Sequence, residues 1–217
     1  MEASRQNMRL LKIIFLVAVS ALSQAGFAQV LHYDALRKGK VVGGMDIQVI
    51  KEGNRSVYKV KSHMDFRFLV SLKVRFINEE TFVNGVLMTG MVNNKMIGFK
   101  ESEAEIKKRE GGYDLQINGV REPIKDQVLE YTVTKIYTEE PTDGQLVFSQ
   151  YYGEHFKFVK IRDHQYKFSS PEGDNYYTYT DGICTDIKIE RDFATIYFTL
   201  KPESLANVKS SEDSSKN

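Results

Sequence analysis

This sequence has almost no cysteine and no tryptophan. Cys184 is the only cysteine among 217 residues, and there is no tryptophan. No disulfide can therefore form within the chain, and its stability has to come from the hydrophobic core. Other aromatic residues are plentiful, with 13 phenylalanines and 12 tyrosines, and these residue types favour β-strands. The composition predicts a β-rich domain without internal cross-links.

An excess of charge of either sign is also missing. The chain has 30 Lys and Arg against 29 Asp and Glu. Without residues 1–28 the counts are 27 and 28, a formal charge of −1. A balanced chain exerts no net electrostatic attraction on nucleic acid or on an anionic membrane surface. We therefore expect neither of them as a partner.

The apolar run near the start of the chain is too short to span a bilayer, which takes about 20 residues. This run, Ile13–Leu22, follows two basic residues, Arg9 and Lys12. Behind it, Gly26–Ala28 has the small-x-small pattern of a cleavage site. These three parts predict a secretory signal peptide at residues 1–28.

Export would place the mature chain in the periplasm or outside the cell. The predicted cleavage follows Ala28, and no cysteine stands there to accept a lipid. We therefore expect no stable membrane anchor after cleavage. Translation could start at Met8 instead of Met1, because a chain that begins at Met8 has a short basic segment directly before the apolar run, as signal peptides do.

Alternation of apolar and polar residues dominates the chain after residue 28. In its clearest example, four apolar residues share one face of a strand: Val70, Leu72, Val74 and Phe76. A period of two predicts a half-buried antiparallel strand. Turn dipeptides such as Asn84-Gly85 and Asp181-Gly182 separate further short alternating segments. Short strands joined by tight turns are typical of a barrel or a strongly curved sheet.

One segment, Pro123–Pro141, fits a helix better than strands. Seven residues spaced at a period near 3.6 would form its buried face: Ile124, Val128, Leu129, Thr132, Val133, Ile136 and Tyr137. Proline is tolerated in the first turn of a helix, which fits Pro123 at the start of the segment. Proline elsewhere ends a helix, which fits Pro141 at its end. The β-prone residues 131–134 leave a strand over Leu129–Tyr137 as the alternative.

These patterns predict a mainly β fold, a single curved antiparallel sheet or open barrel with one helix packed on it. Residues 29–202 form one domain, because neither a repeat nor a break in composition divides them. Residues 203–217 are polar and serine-rich and cannot bury enough apolar surface to order themselves. We predict that they form a disordered tail.

Catalytic and metal-binding motifs are missing from the sequence. None of its four histidines belongs to an H-E-x-x-H motif or stands near Cys184 at a zinc-site spacing. The nucleophile motif G-x-S-x-G is also absent. We therefore assign no catalytic residue, no metal ligand and no cofactor site.

Five local patterns resemble an uncharacterised family of exported β-rich proteins from Gram-negative bacteria, a domain of unknown function. They are Tyr33–Gly44, Asn84-Gly85, Ile136–Pro141, Val147–Ser149 and the pattern Tyr177-x-Tyr179-x-x-Gly182-Ile183. The chain is also distantly similar to periplasmic proteins with an open, curved sheet and a helix, a group that includes lipoprotein carriers. The resemblance implies a curved-sheet fold more than an activity.

The function predicted first is that of an exported, non-enzymatic protein that binds a lipid or another hydrophobic ligand on a concave sheet face. The candidate ligand-binding residues lie on the alternating strand and the predicted helix: Val70, Leu72, Val74, Phe76 and Tyr137. One alternative is a structural or protein-interaction module of the cell envelope. The second alternative is an envelope hydrolase, which would need a histidine, an acid and a hydroxyl in one cleft.

Overall fold

The computed structural model describes residues 27–67, 71–96, 101–125, 128–192 and 194–206. Fifteen strands, one 3-10 turn at Lys135–Tyr137 and a short helical stretch at residues 202–206 lie in this part of the chain. The first eight strands are β1 (Phe27–Arg37), β2 (Lys40–Glu52), β3 (Arg55–Arg67), β4 (Ser71–Val83), β5 (Val86–Met96), β6 (Ser102–Arg109), β7 (Gly112–Ile117) and β8 (Val120–Ile124). The others are β9 (Leu146–Ser149), β10 (Glu154–Lys157), β11 (Val159–Arg162), β12 (Gln165–Ser170), β13 (Gly173–Thr180), β14 (Ile183–Arg191) and β15 (Ala194–Leu200).

Thirteen of the described strands form one curved antiparallel sheet. Its order is β11-β12-β13-β14-β15-β1-β2-β3-β4-β5-β6-β7-β8, while β9 and β10 pair only with each other. The two edge strands of the sheet, β8 and β11, do not pair, so the sheet does not close into a barrel. The predicted fold class, mainly β with one curved antiparallel sheet, is confirmed.

Tight turns join neighbouring strands where the sequence predicted them. Asn84 and Gly85, between β4 and β5, have φ angles of 52° and 78°. Asp181 and Gly182, between β13 and β14, have φ angles of 51° and 77°. Positive φ at both central residues matches the right-handed twist of a two-residue hairpin, and asparagine, aspartate and glycine tolerate it best.

The core lies between the sheet and the chain that crosses it. Alternate residues of each long strand are buried, as Met45, Ile47 and Val49 are in β2, and they define the inner face of the sheet. Residues 128–158, here called the crossing segment, supply the other half of the core. Its buried apolar residues are Leu129, Ile136, Val147, Phe148, Phe156 and Phe158.

The predicted helix over Pro123–Pro141 is wrong. Pro123 belongs to β8, residues 128–134 are irregular, and only Lys135–Tyr137 form a 3-10 turn. Around the 3-10 turn the backbone of this region bonds to itself, but on either side of that turn it bonds to strands elsewhere in the chain. The amide of Leu87 donates to the carbonyl of Leu129 at 2.8 Å, and the amide of Phe148 donates to the carbonyl of Tyr131 at 3.0 Å. Tertiary hydrogen bonds and burial thus override the local helical spacing.

The predicted signal peptide and the predicted disordered tail each include residues that the structure places in regular secondary structure. Strand β1 begins at Phe27, and Ala28 pairs with Ile50 of β2, so cleavage after Ala28 would leave β1 starting at Gln29. Residues 1–26 of the predicted signal peptide lie outside the described residues. At the other end residues 202–206 are helical, and the buried Ser204 Oγ accepts a 3.0 Å hydrogen bond from the amide of His32.

Ordered structure therefore continues past residue 203, where the disordered tail was predicted to begin. Residues 207–217 of that tail lie outside the described residues. Among the residues that the structure describes, no helix has the length and apolar character needed to cross a membrane.

Candidate functional site

The predicted ligand-binding residues fall into two places. Val74 and Phe76 lie on the inner face of β4 and are partly exposed. Val70 lies outside the described residues, and for Leu72 only the backbone position, paired with Phe66, is described. Tyr137 lies in the 3-10 turn of the crossing segment.

Two methionines that the sequence reasoning missed flank Val74. Met64 of β3 and Met96 of β5 are its direct cross-strand partners. Both methionines and Phe76 are partly buried and pack against the core. Met64, Val74, Phe76 and Met96 therefore form one patch across three adjacent strands, here called the apolar end.

The crossing segment covers the inner face of β4 unevenly. On β4 the inner-face residues Val74 and Phe76 are partly exposed, whereas Asn78, Glu80 and Phe82 are at most 1 % exposed. Burial of this face is thus partial at Val74 and Phe76 and nearly complete from Asn78 onward. Asn94, the cross-strand partner of Phe76, donates from Nδ2 to the hydroxyl of Tyr151 in the crossing segment at 3.4 Å.

Tyr137 does not belong to the apolar end. Its ring packs edge-on against Tyr33 of β1, with 6.4 Å between the ring centroids. Tyr33 is aligned with Phe76 through Met45 and Ser62, but three strand spacings, about 14 Å, separate β1 from β4. Burial raises the pKa of the Tyr137 hydroxyl, followed by the effects of Cys184 and Glu80, and this keeps the phenol neutral.

A buried polar cluster lies next to the apolar end, under the crossing segment. Its residues are Asn78, Glu80, Thr132, Thr134, Lys135 and Gln150, all less than 9 % exposed. Glu80 Oε2 accepts hydrogen bonds from the hydroxyls of Thr132 and Thr134. Burial raises the pKa of Glu80 to about 7, opposed by these two hydrogen bonds and by Lys135.

Gly90 of β5 makes room for this cluster. A Cβ on Gly90 would stand 2.2 Å from Gln150 Oε1 and 3.1 Å from Glu80 Cγ. Gln150 Nε2 donates to Asn78 Oδ1 at 3.1 Å, which links the turn after β9 to the sheet. Within the described residues, Glu80 Oε1 and Gln150 Oε1 have no hydrogen-bond partner.

A signal for the cluster was present in the sequence. Asn78 and Glu80 continue the even-numbered face that Val74 and Phe76 begin, and Phe82 follows them on it. Polar residues within an apolar face need buried partners. Those partners come from segments more than 50 positions away in the chain, so no local pattern reveals them.

The family of the chain follows from comparison with known proteins. A family model described as a domain of unknown function, DUF6134, matches residues 33–201. The chain belongs to the DUF6134 family. This confirms the resemblance to an uncharacterised β-rich family, while the Gram-negative origin and the likeness to lipoprotein carriers stay predictions. No curated protein matches the chain.

A solved structure also resembles this DUF6134 chain. It is the crystal structure of a β-barrel-like protein of a domain of unknown function, DUF1849, from Brucella abortus. The similarity covers 80% of this chain and 95% of that one, with 9% sequence identity and a TM-score of 0.41.

The histidines of the DUF6134 chain lie away from the buried cluster. All four are exposed. His32 Nδ1 lies 2.6 Å from Asp46 Oδ1, and His164 Nδ1 lies 3.1 Å from the carboxylate of Glu140. In the described part of the chain, no group of three or more His, Cys, Asp or Glu is arranged to hold a metal ion.

Cys184 is buried, and burial raises the pKa of its thiol. A protonated, enclosed thiol is a poor nucleophile. Cys184 therefore acts as a small packing residue of β14.

A depression of about 560 Å³ lies on the outer face of strands β5 to β8. Arg109 Nε and Arg121 Nη2 both donate to Asp114 Oδ2 at 2.8 Å, and these hydrogen bonds, with that of Arg109 first, hold the pKa of Asp114 below its usual value. Three of the charged residues that line this depression, Arg109, Asp114 and Arg121, thus satisfy one another.

Proposed function

We propose that this DUF6134 protein is exported, has no enzymatic activity, and binds one acyl chain of a hydrophobic ligand at the apolar end. The observation that supports this is the patch formed by Met64, Val74, Phe76 and Met96, which stays partly exposed on the inner face of the sheet. Exposed apolar side chains that adjoin one another on a concave surface are typical of ligand sites.

The chemistry of the apolar end suits a flexible chain better than a rigid molecule. Met64 and Met96 stand on either side of Val74, and methionine adapts its shape to irregular apolar partners. The three strands span about 10 Å across the patch. An extended acyl chain laid across them would contact all four side chains.

The size of the patch limits the affinity. Each buried methylene contributes about 0.8 kcal/mol, so about ten methylenes would supply about 8 kcal/mol, equivalent to a Kd near 1 μM before the costs of association. The rest of the inner face is filled by the crossing segment. We therefore expect single-chain lipids to bind with a Kd of about 10 μM or weaker, and bulkier two-chain lipids to bind no better.

Titration with a fluorescent single-chain fatty acid, cis-parinaric acid, tests the proposal. Phe76→Asp puts a charge in the patch and should weaken binding at least about tenfold, since burying an unpaired carboxylate is costly. Ile77→Asp is the matched control, because Ile77 is the next residue of β4, points to the outer face and is 36% exposed. Binding that survives Phe76→Asp, or that both variants abolish with the fold intact, would reject the site.

Edge strand β11 favours a second candidate, an interaction module of the cell envelope. All four residues of Val159–Arg162 are exposed, and Val159 and Ile161 are 51% and 52% exposed. An apolar edge strand can pair with a strand of another protein. A photo-crosslinking residue at position 161 should then capture an envelope protein that the same probe at Val41, 63% exposed but not on an edge strand, does not capture. Equal capture at both positions would remove this candidate.

A further inference from the structure

We propose that Glu80 carries a proton in the folded protein and donates it to Gln150 Oε1, so that this proton fastens the crossing segment to the sheet and its loss loosens that segment. The device does not depend on the proposed ligand. It concerns the buried polar cluster, which takes no part in the binding function above.

Two unpaired, buried acceptors whose side chains both lie against Gly90 are the first observation. Glu80 Oε1 and Gln150 Oε1 are both buried, and neither has a hydrogen-bond partner among the described residues. Both side chains converge on Gly90, whose Cβ would stand within 3.1 Å of each. A carboxylate oxygen and an amide oxygen cannot bond to one another, and an unpaired buried acceptor costs about 1–3 kcal/mol. A proton on Glu80 turns one of the two into a donor and satisfies both.

The remaining hydrogen bonds fix which atoms share this proton. Gln150 Nε2 is already engaged with Asn78 Oδ1 at 3.1 Å, so the amide oxygen is the atom left for Glu80. Reversing the amide would set that oxygen against Asn78 Oδ1. Thr132 and Thr134 donate to Glu80 Oε2, which leaves Oε1 as the protonated oxygen.

The charged groups near Glu80 do not stabilise its ionised form enough to make the proton unnecessary. From β3, the 3-10 turn and the residues after it, the titratable and charged neighbours are Tyr58, Lys135, Tyr137 and Glu139. The ammonium of Lys135 lies 4.5 Å from the centroid of the Phe82 ring and 3.9 Å from Glu139 Oε1. The hydroxyl of Tyr58 donates to the same Glu139 oxygen at 2.9 Å. Lys135 is thus shared with a second carboxylate, and desolvation dominates at Glu80.

The position of the cluster connects ionisation to movement. Asn78 and Glu80 belong to the sheet, whereas Thr132, Thr134 and Gln150 belong to the crossing segment. When Glu80 loses its proton, a buried charge faces the bare oxygen of Gln150, and water can reach that charge only if the crossing segment moves away. The open form therefore gains population as the pH rises.

Hydrogen exchange measured by mass spectrometry over residues 128–150 tests this device. After correction for intrinsic exchange, the protection of these amides should fall by up to about 100-fold between pH 5 and pH 8.5. Peptides from β12 to β14, which the cluster does not touch, should keep their protection. An unchanged protection over residues 128–150 would overturn the proposal.

A pair of neighbouring substitutions separates Glu80 from general effects of charge. In Glu80→Gln an amide N–H replaces the carboxyl O–H, so the bond to Gln150 can form without titrating, and protection should not change with pH. Glu79→Gln is the matched control, because Glu79 faces outward, pairs with Lys59 and is about one-third exposed. A Glu80→Gln protein that keeps the wild-type pH response would refute the role of Glu80.

Infrared difference spectroscopy decides the case even if Glu80→Gln does not fold. Surface carboxyl groups are ionised at pH 6, so a protonated-acid band in the wild-type protein labelled with carbon-13 glutamate would report a buried glutamic acid. We expect this band at pH 6 and its loss by pH 8.5. If it is missing at pH 6, Glu80 carries no proton and the proposal fails.

Discussion

The hydroxyl of Tyr33 donates a 2.6 Å hydrogen bond to the backbone carbonyl of Cys184, which ties β1 to β14 across β15. Both residues are at most 1 % exposed. The pairing of β13 with β14 shifts register beside Cys184, and such irregularities redirect the backbone locally. Burial, followed by the effect of Cys184, raises the pKa of Tyr33, which keeps its hydroxyl a donor.

Tyr33→Phe should lower the free energy of unfolding by about 1–3 kcal/mol, because a buried carbonyl loses its partner while the ring stays. Urea denaturation followed by circular dichroism measures the change. Tyr197→Phe is the control, since Tyr197 is 46% exposed on neighbouring β15, and it should change stability by less than about 0.5 kcal/mol. Equal effects of the two substitutions would contradict a role for the buried bond.

Consecutive glycines of β2 should respond differently to alanine. A Cβ on Gly43 would stand 2.0 Å from the backbone oxygen of His63, whereas on Gly44 its nearest neighbour would be the oxygen of Tyr33 at 3.0 Å. Paired backbones cannot yield as a side chain can, so Gly43→Ala should cost about 1–3 kcal/mol more than Gly44→Ala. The measurement is the difference between their urea midpoints, and the reverse order would show that β2 and β3 do not approach so closely.

Phe158→Ala should be the most damaging of these substitutions. Phe158 is fully buried, and its ring contacts Tyr166, Phe168 and Tyr177, with centroids 6.4, 5.3 and 5.8 Å away. Truncating such a phenylalanine costs about 3–5 kcal/mol. Thermal denaturation should show a large drop in Tm, whereas Val159→Ala, at a position 51% exposed, should leave Tm nearly unchanged.

The free energy of unfolding should fall as the pH rises from about 4.5 to about 7. The pKa of Glu80 is about 7 in the folded protein against an ordinary value of 4.5, so between these values the folded state binds more protons than the unfolded state. Stability is then lost with rising pH, by about 3 kcal/mol in total. Urea unfolding at pH 5 and pH 8 checks this, and Glu80→Gln should flatten the profile. Stability that rises with pH would contradict the shift at Glu80.

Expression of the whole chain in a Gram-negative host should yield a mature protein that begins at Gln29. The sequence predicts cleavage after Ala28, and β1 would then start with a residue that still pairs with Val49. Intact-mass measurement of the periplasmic fraction and the medium gives the result. A chain that keeps residues 1–28 in the cytoplasm would reject export.

The sequence revealed the parts of the fold that depend on neighbours along the chain. Alternation placed Val74 and Phe76 on one face, and the φ angles of Asn84 and Gly85 follow from their own chemistry. The helix prediction failed because Leu129 and Ile136 are buried by contacts with distant strands. Their spacing matches a helical period, but it does not reflect a helix. Glu80 was missed for the same reason, since its partners stand far away in the sequence.

The first and last strands of the domain are neighbours inside the sheet, not at its edges. Strand β1 pairs with β15 on one side and β2 on the other, and the backbone of His32 meets Ser204, 172 positions further along. The two halves of the sheet thus stay separate until the final strand is available. Contacts so distant in sequence make folding slow. If the pairing of β1 with β15 forms last, the chain would stay unfolded long enough to be translocated across a membrane.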